Sequence, residues 1–526
     1  MKNAVGREIP ESLLKDQWKD ARGGKGYEVY QGRNYRDGTY LKKQGPRTTI
    51  GEKPLESKLL PSIREAVIQS GLKDGMTVSF HHHFRDGDYI VNMVMKEIVD
   101  LGIKDITIAA SSLGSAHDPI ADYIERGIVT GIQTSGIRGR MGDVVSHGKL
   151  KTPAILRSHG GRVRAIEEGD VHIDVAFIGA PTSDEYGNAR AVGGKSDCGV
   201  LSYAVVDAQY ADKVVVITDT LVPFPNFPAS IHGIDVDYVV KVDEIGNPKK
   251  IASAAARMTQ NPRDLMMAEA TAKIMAATPW FKDGFSFQTG AGGPSLAVNR
   301  FIEPLMNERN IKMSWAVGGI TGPICDLLRR GLVGKIVDTQ DFDVAAIDDI
   351  RDNPNHFEIS ASEYANPANK GAFVNKLDFV ILAALEVDVD FNVNVITGSD
   401  GVLRGAPGGH PDTAAGAKCC IIVTPLTRGR MATICEKVVT VTTPGECVDV
   451  VVTDYGVAVN PRRQDIIECL DRAGIKHVPI KELQEKAYAM VGRPDELQWK
   501  DKVVAILEAR DGTILDVVRE IKPYSL

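Results

Sequence analysis

Long apolar runs are missing from this chain of 526 residues. No uninterrupted stretch approaches the ~20 residues a membrane-spanning helix needs. The opening segment, MKNAVGREIPESLLKDQWKD, has no apolar core of the kind a secretory leader carries, so a cytoplasmic protein is expected. Cysteine is scarce, seven in all, and none forms a C-x-x-C pair. Most sit in apolar runs such as KCCIIV, which predicts buried reduced thiols and argues against disulfides or a zinc knuckle. An excess of positive charge is also absent: the formal net charge is −7, which argues against general nucleic-acid binding. No helix-turn-helix segment is apparent. Aromatic residues contribute only 6% and charged residues 25%, within the range of ordinary soluble domains.

The 43% hydrophobic content is ample for buried cores, and the length calls for two or three domains. Short Val- and Ile-rich runs such as DITIAA, DVAFIGA, KVVVIT, DFVILAA and DVVVT alternate with amphipathic stretches of helix length. Continuous apolar runs of this kind read as strands buried on both faces, in a mostly parallel sheet with helices outside it. The two halves resemble each other. PIADYIERGIVTGI at 119–132 and PICDLLRRGLVGKI at 323–336 share seven of fourteen residues at an offset of 204. IDVAFIGA at 173–180 meets LDFVILAA at 377–384 at the same offset, and SFHHHFRDGDYIVN at 79–92 aligns with SFQTGAGGPSLAVN at 286–299. The expected architecture is therefore α/β, with two doubly wound domains at 55–260 and 261–526 related by internal duplication. An arm at 1–54 precedes them, carrying 12 Lys/Arg against 7 Asp/Glu. A site is expected where the two copies meet, with glycine loops after strands pointing into the cleft.

Four segments stand out. QTGAGGPS at 288–295 follows an apolar strand and opens a helix, so its backbone N–H groups can approach an oxyanion; an ordinary tight turn has the same appearance. It is not a P-loop, since no Gly-Lys-Ser/Thr follows. NVNVITGSDGVLRGAPGGHPD at 392–412 packs five glycines, an arginine, a histidine and two aspartates into one loop-like segment, and long loops of this composition tend to be functional. His81, His82 and His83 are followed by Phe84 and Arg85. Adjacent side chains in an extended segment alternate faces and cannot easily share one ion, so no metal is expected there. The histidines suit a carboxylate-rich ligand, against the plainer reading of one buried and two solvated rings. Arg157, His159, Arg162 and Arg164, with Lys149 and Lys151 nearby, fit either a polyanion site or a solvated basic loop.

SFHHHFRDGDYIVNMVM, TSGIRG, SHGGRV, GFSFQTGAGGPSLAV, NPNHFEISASEYAN and FNVNVITGSDGVLRGAPGGHPDTA together resemble the citrate lyase alpha-chain family, from about residue 50 to the end. More distantly, GAGGPS and GAPGGHPD are similar to glycine loops of the CoA-transferase superfamily, whose domains are tandem and doubly wound. The resemblance implies a transferase in which acetyl-[acyl-carrier protein] and citrate give citryl-[acyl-carrier protein] and acetate. A beta (lyase) subunit would then form oxaloacetate. The thiol would belong to a dephospho-CoA-derived prosthetic group on a gamma (acyl carrier) subunit, so no cofactor is expected on this chain, CoA thioesters serving as analogues. Citrate and acetate, both partner subunits and an oligomer are implied; nucleic acid and membrane are not. Many CoA-transferases use a nucleophilic glutamate in a turn that corresponds here to Gly318–Gly322, which holds no carboxylate. That departure implies a ternary complex and a mixed anhydride, without a covalent enzyme thioester. Oxyanion donors are then expected at Gly290, Ala291, Gly292 and Gly293, and citrate ligands at His82, His83, Arg85 and Arg404. The carrier arm would lie along Asn392, Asn394, Gly398, Gly401, Gly408, Gly409, His410 and Asp412. The alternatives are a CoA-transferase or hydrolase acting on free CoA, a sugar-phosphate sensor, and a zinc enzyme built on His81–His83.

Overall fold

The structure, a computed structural model, describes residues 1–14, 26–33, 43–45, 55–252, 259–290 and 292–522. Its first half carries strands β1 (Leu59–Leu60), β2 (Thr77–Phe80), β3 (Ile106–Ala110), β4 (Val129–Thr134), β5 (Ala154–Leu156), β6 (Val175–Ala180), β7 (Lys213–Thr218) and β8 (Tyr238–Lys241). The second carries β9 (Phe285–Thr289), β10 (Met313–Ile320), β11 (Val333–Asp341), β12 (His356–Glu358), β13 (Phe379–Leu382), β14 (Cys419–Val423), β15 (Val450–Thr453) and β16 (Gly456–Val459). A C-terminal hairpin, β17 (Trp499–Glu508) and β18 (Ile514–Ile521), ends the described chain. The apolar runs become these strands because both their faces are covered; β6 is buried at every position.

The first sheet runs β1-β8-β7-β6-β2-β3-β4-β5-β17-β18 and the second β12-β11-β10-β9-β13-β14-β15-β16. Within them the segments β5-β4-β3-β2-β6-β7-β8 and β12-β11-β10-β9-β13-β14-β15 have the same order, and every pairing inside them is parallel. Even a small lock recurs. Asp174 accepts the Thr77 amide at 2.8 Å beside β2, and Asp378 accepts the Ser286 amide at 2.9 Å beside β9. Stacked Phe80 and Phe177, 6.0 Å apart, mark the first core, and Phe285 against Phe379, also 6.0 Å apart, the second. All seven cysteines are buried and free, as their apolar settings predict. Among the described residues no helix is long and apolar enough to cross a membrane.

One boundary differs from the sequence reading. The segment 261–526 does not stay with the second sheet: β17 pairs in parallel with β5 of the first, in the register Ile506 to Ile155. Tyr27 and Val29 of the N-terminal segment pack on Ile506 and Ile514 of this hairpin, and Arg7 pairs with Asp516 at 2.7 Å. Most of 15–54 lies outside the described residues.

The basic segment at 157–164 is neither a polyanion site nor a solvated loop. Arg157 reaches Glu508 of the hairpin through Nε and Nη2 at 2.6 and 2.9 Å, and Arg162 grips Asp207 at 2.8 and 2.6 Å. Arg164 pairs with Glu168 and Asp170 at 2.6 and 2.7 Å. All three guanidinium groups are buried. Helices α1 (His159–Glu167), α2 (Ser202–Tyr210), α3 (Gly293–Arg309), α4 (Ala361–Ala365) and α5 (His410–Gly416) carry or flank the residues that matter below. Removing one partner of a buried ion pair strands the other charge, at a cost of about 3–5 kcal/mol. Asp207→Ala, which leaves Arg162 and His81 without their carboxylate, is expected to lose stability on that scale in urea unfolding. Lys151→Ala, at an exposed pair with Asp105, is expected to change little.

Candidate active site

In each sheet the strand order reverses at the central strand, β2 in one and β9 in the other, and crevices open at the carboxyl ends of such strands. From β2 the chain runs into His81–Arg85; from β9 it runs into Gly290–Gly293. The two segments singled out in the sequence therefore occupy equivalent positions at the two switch points.

The three histidines separate by face. His81 is buried, with Nε2 at 3.1 Å from Asp207. His83 is buried too, its Nε2 on the Gly179 carbonyl at 2.9 Å and its ring edge-on to Phe84, so it belongs to the core and not to a ligand-binding set. Only His82 joins a polar cluster. Its ring stacks on His159 at 5.5 Å and tilts against Tyr203 at 4.6 Å, with Nδ1 at 2.6 Å from Ser111 Oγ. His159 Nδ1 lies 3.1 Å from Ser135 Oγ, and the Tyr203 hydroxyl meets Thr339 of the second half. Burial, together with the neighbouring rings and arginines, holds His82 well below the ordinary imidazole range, and burial with Arg162 holds His159 at about 3. These rings are neutral hydrogen-bonding groups near pH 7.

Arg85 supplies the charge. It adopts φ +52°, places its guanidinium 4.6 Å above the Phe342 ring of the second half, and leaves buried Nη1 without an acceptor among the described residues. Burial lowers its pKa, with Asp86 opposing the shift and Arg138 adding to it. Arg404 is different. Its side chain is 50% exposed and already pairs with Asp400 at 2.6 Å, so it does not converge on the cluster.

On the second half, Gly290 donates its amide to Ile381 at 2.7 Å and is not a free oxyanion donor. Ala291 lies outside the described residues. Gly292 and Gly293 open α3, where the first amides have no intrahelical acceptor. Ser295 Oγ and the Asn299 side chain are buried nearby without partners among the described residues. Gly292 packs on Ala383, whose carbonyl lies 3.0 Å from His410 Nε2. Gln288 donates to the Tyr364 hydroxyl at 2.9 Å, and Gly409 lies against that hydroxyl. The Gly408 carbonyl accepts the His159 amide at 2.9 Å. QTGAGGPS, the GAPGGH turn and the His82–His159–Tyr203 cluster thus form one contact path across the two halves.

The remaining loop residues brace the loop. Asn392 bonds Asp388 and the Gly445 amide, and Asn394 holds Glu386, Ile396 and Thr397. Gly398 and Gly401 close a turn, with Gly401 packed against Trp499. His410 has both ring nitrogens engaged, by Thr443 and Ala383. Asp412 is fully buried between Ser158, Gly160 and Arg510. In this arrangement none of Asn392, Asn394, His410 and Asp412 is free to lie along a carrier arm. Sequence reasoning read His159 only as part of a basic segment and assigned no role to the side chains of Ser111, Ser135, Tyr203, Gln288 and Tyr364. His159, Gln288 and Tyr364 lie within the motif strings, so a signal existed; Tyr203 had none.

Because folding depresses the His159 pKa from its ordinary 6.5 to about 3, the unfolded chain binds a proton that the folded chain refuses in between. The associated stability is present above pH 6.5 and is lost as pH falls toward 3. His159→Gln is expected to reduce the loss of stability between pH 7 and 5 by about 1–2 kcal/mol in paired urea melts. An unchanged slope would show that the ring is solvated and protonates freely.

The family model described as "Citrate lyase, alpha subunit (CitF)" matches residues 56–521. The citrate lyase alpha chain of Haemophilus influenzae is 52% identical over 467 residues, covering 89% of this chain and 93% of that one. The Escherichia coli K12 citrate lyase alpha chain is 50% identical over 481 residues, covering 91% and 94%. A crystal structure from Streptococcus mutans, described as the alpha subunit of citrate lyase in complex with citrate, is similar with a TM-score of 0.92 and 50% identity over 99% of this chain and 100% of that one. The malonate decarboxylase alpha subunit of Acinetobacter baumannii, 14% identical with a TM-score of 0.61 over 82% of this chain and 87% of that one, shares the fold. The matched length, the identity and the paired switch points agree: the chain belongs to the citrate lyase alpha-subunit family.

Proposed function

We propose that this chain transfers the acyl-carrier thiol from acetate to citrate: acetyl-[acyl-carrier protein] and citrate become citryl-[acyl-carrier protein] and acetate. The observation that carries this reading, beside family membership, is Arg85. It is a half-buried guanidinium whose buried Nη1 has no acceptor among the described residues; it is set between neutral His82 and the second half, and it suits one carboxylate of a citrate. His82, His159 and Tyr203 would serve that ligand as hydrogen-bonding groups. A free citrate carboxylate would attack the acetyl thioester carbonyl and expel the carrier thiolate, leaving a mixed anhydride. The thiolate would then attack the citryl carbonyl and release acetate. Both nucleophiles are anions, so no general base is needed. The segment Gly318–Gly322, which the structure forms as the end of β10 and the start of the following helix and not as a separate turn, holds no carboxylate, which supports direct transfer over a covalent enzyme thioester.

Exchange of one thioester for another is nearly isoenergetic, so orientation and oxyanion stabilisation carry the rate. Orientation can supply up to about 7–11 kcal/mol. Each oxyanion donor contributes about 3 kcal/mol, and the amides of Gly292 and Gly293 are the donors this reading retains. The thiol would come from the dephospho-CoA-derived group of an acyl carrier subunit, and a lyase subunit would consume the citryl product, in a cytoplasmic complex. The matching strand order and the repeated sequence blocks support an origin by internal duplication. On that reading the domains are 55–260 and 261–526, the latter lending its last hairpin to the first sheet.

Arg85→Met is expected to raise the KM for citrate by about 10–100-fold, the loss of one charge-assisted hydrogen bond, while the KM for acetyl-carrier changes little. Equal effects on both substrates would remove Arg85 from citrate binding. A strong preference for acetyl-CoA over acetyl-[acyl-carrier protein] in the same assay would favour a transferase acting on free CoA.

A further inference from the structure

We infer that Asp338, Asp341 and His356 form a divalent cation site, of the zinc or manganese class, at the seam between the two halves. The sequence reading weighed metal only at His81–His83, whose rings serve other partners. Here Asp338 and Asp341 end β11 and His356 opens the adjacent β12, paired in parallel with it. All three are at most 2% exposed, and one ligand atom from each lies within 4.8 Å of the others. In a tetrahedral shell with bonds of about 2.1 Å two ligand atoms lie about 3.4 Å apart, a separation His356 Nε2 and Asp338 already meet at 3.1 Å, so closure requires a movement of about 1.5 Å at most.

Two observations separate this cluster from a mere group of acids. The first is Asp341. Neither of its carboxylate oxygens meets a donor among the described residues, and what faces them is the Asp338 carboxylate. No described Lys or Arg forms an ion pair with either aspartate. A buried carboxylate with a carboxylate for a neighbour draws in a cation or a proton. The second is the orientation of His356. Its Nδ1 lies 3.1 Å from Asp349, which Arg329 holds at 3.0 Å, and its Nε2 points to Asp338 at 3.1 Å. A carboxylate that fixes the far ring nitrogen is the usual outer-shell arrangement of a metal-binding histidine. Asp338 Oδ1 is meanwhile held by the Gln340 amide at 2.7 Å.

Two carboxylates and an imidazole suit zinc or manganese better than calcium or magnesium, which favour all-oxygen shells. The first half closes the cluster. Gly199 presses on Asp341 so closely that a Cβ there would fall 1.6 Å from Oδ2, and neighbouring Glu358 accepts the Leu201 amide at 2.6 Å. A cavity of about 600 Å³ lined by Gly199, Ser230, His356 and Glu358 offers the ion an entry path. A bound ion would therefore stabilise the packing of one half on the other.

The test is metal content, independent of activity. Full-length protein purified without chelator from medium containing both ions is expected to hold about one zinc or manganese per chain by mass spectrometry. Treatment with EDTA should lower its thermal midpoint, and re-addition of Zn²⁺ or Mn²⁺ alone should restore it. Asp341→Asn and Asp338→Asn should each abolish both the stoichiometric metal and the EDTA effect. His172→Gln, in the exposed His172–Asp174–Asp212 group, should alter neither. The site is overturned if the wild-type protein holds less than about a tenth of an ion per chain and its thermal midpoint is unmoved by added Zn²⁺ and Mn²⁺. The two aspartates would then share a proton. Metal retained in folded Asp341→Asn and Asp338→Asn proteins would overturn it equally, by placing the ion elsewhere.

Discussion

Asp412 sits at the start of α5 in the second half, yet what surrounds it comes largely from elsewhere. Its Oδ1 accepts the Ser158 hydroxyl at 2.8 Å and lies 3.3 Å from Arg510 Nε, and its Oδ2 accepts the Gly160 amide at 2.9 Å. One buried carboxylate thus joins the glycine loop of the second half, the N-terminus of α1 in the first, and the turn of the C-terminal hairpin. Burial raises its pKa while Arg510 and the donors pull it back, which is how a carboxylate survives in such a place. The approach leaves no room for a side chain at residue 160: a Cβ on Gly160 would lie 2.1 Å from the Ala365 carbonyl. The same contact sets Gly408 against His159, so the geometry of the polar cluster depends on it.

The electrostatics follow a division of labour. Arg157, Arg162 and Arg164 are consumed by buried carboxylates and hold the scaffold together. The histidines at the seam are kept neutral by burial. That leaves Arg85 with a buried donor to offer, held above Phe342 in a backbone conformation, φ +52°, that a non-glycine residue rarely adopts. A guanidinium with a donor to spare among neutral rings can orient a polycarboxylate by one of its groups and leave another free to react. A ring of cations would bind all its carboxylates and blunt the nucleophile.

The glycine-rich segment at 392–412 shows where composition misleads. Its glycines and asparagines suggest a loop that touches a ligand. Its polar groups are instead engaged within the protein, some by the loop's own buried backbone, as Asn394 is by Ile396 and Thr397, and others by neighbouring elements, as His410 is by Thr443 and Ala383, since a loop drawn into a domain seam has no water to bond. The segment meets the other half at several points: the Leu403 amide donates to Ser146, the Gly405 and Gly408 carbonyls accept the Ile137 and His159 amides, and Asp412 accepts from Ser158 and Gly160. The arginine-rich segment misleads for a related reason: the acid that takes up Arg157 lies 351 residues away and the one that takes up Arg162 lies 45 away, so no local window shows the charge as spent.

The alternation of doubly buried strands with helices, the repeated blocks at nearly one offset, the glycine turn after a strand and the family strings are local patterns. Period, composition and spacing record them, and the chain alone determined them. Which histidine faces the cluster, which glycine amide is already engaged by Ile381, which arginine keeps an unpaired donor, and the return of β17 to β5 were decided by tertiary structure. Each of these turns on a partner brought from a distant part of the chain, and burial then decides whether that partner saturates the group or leaves it available.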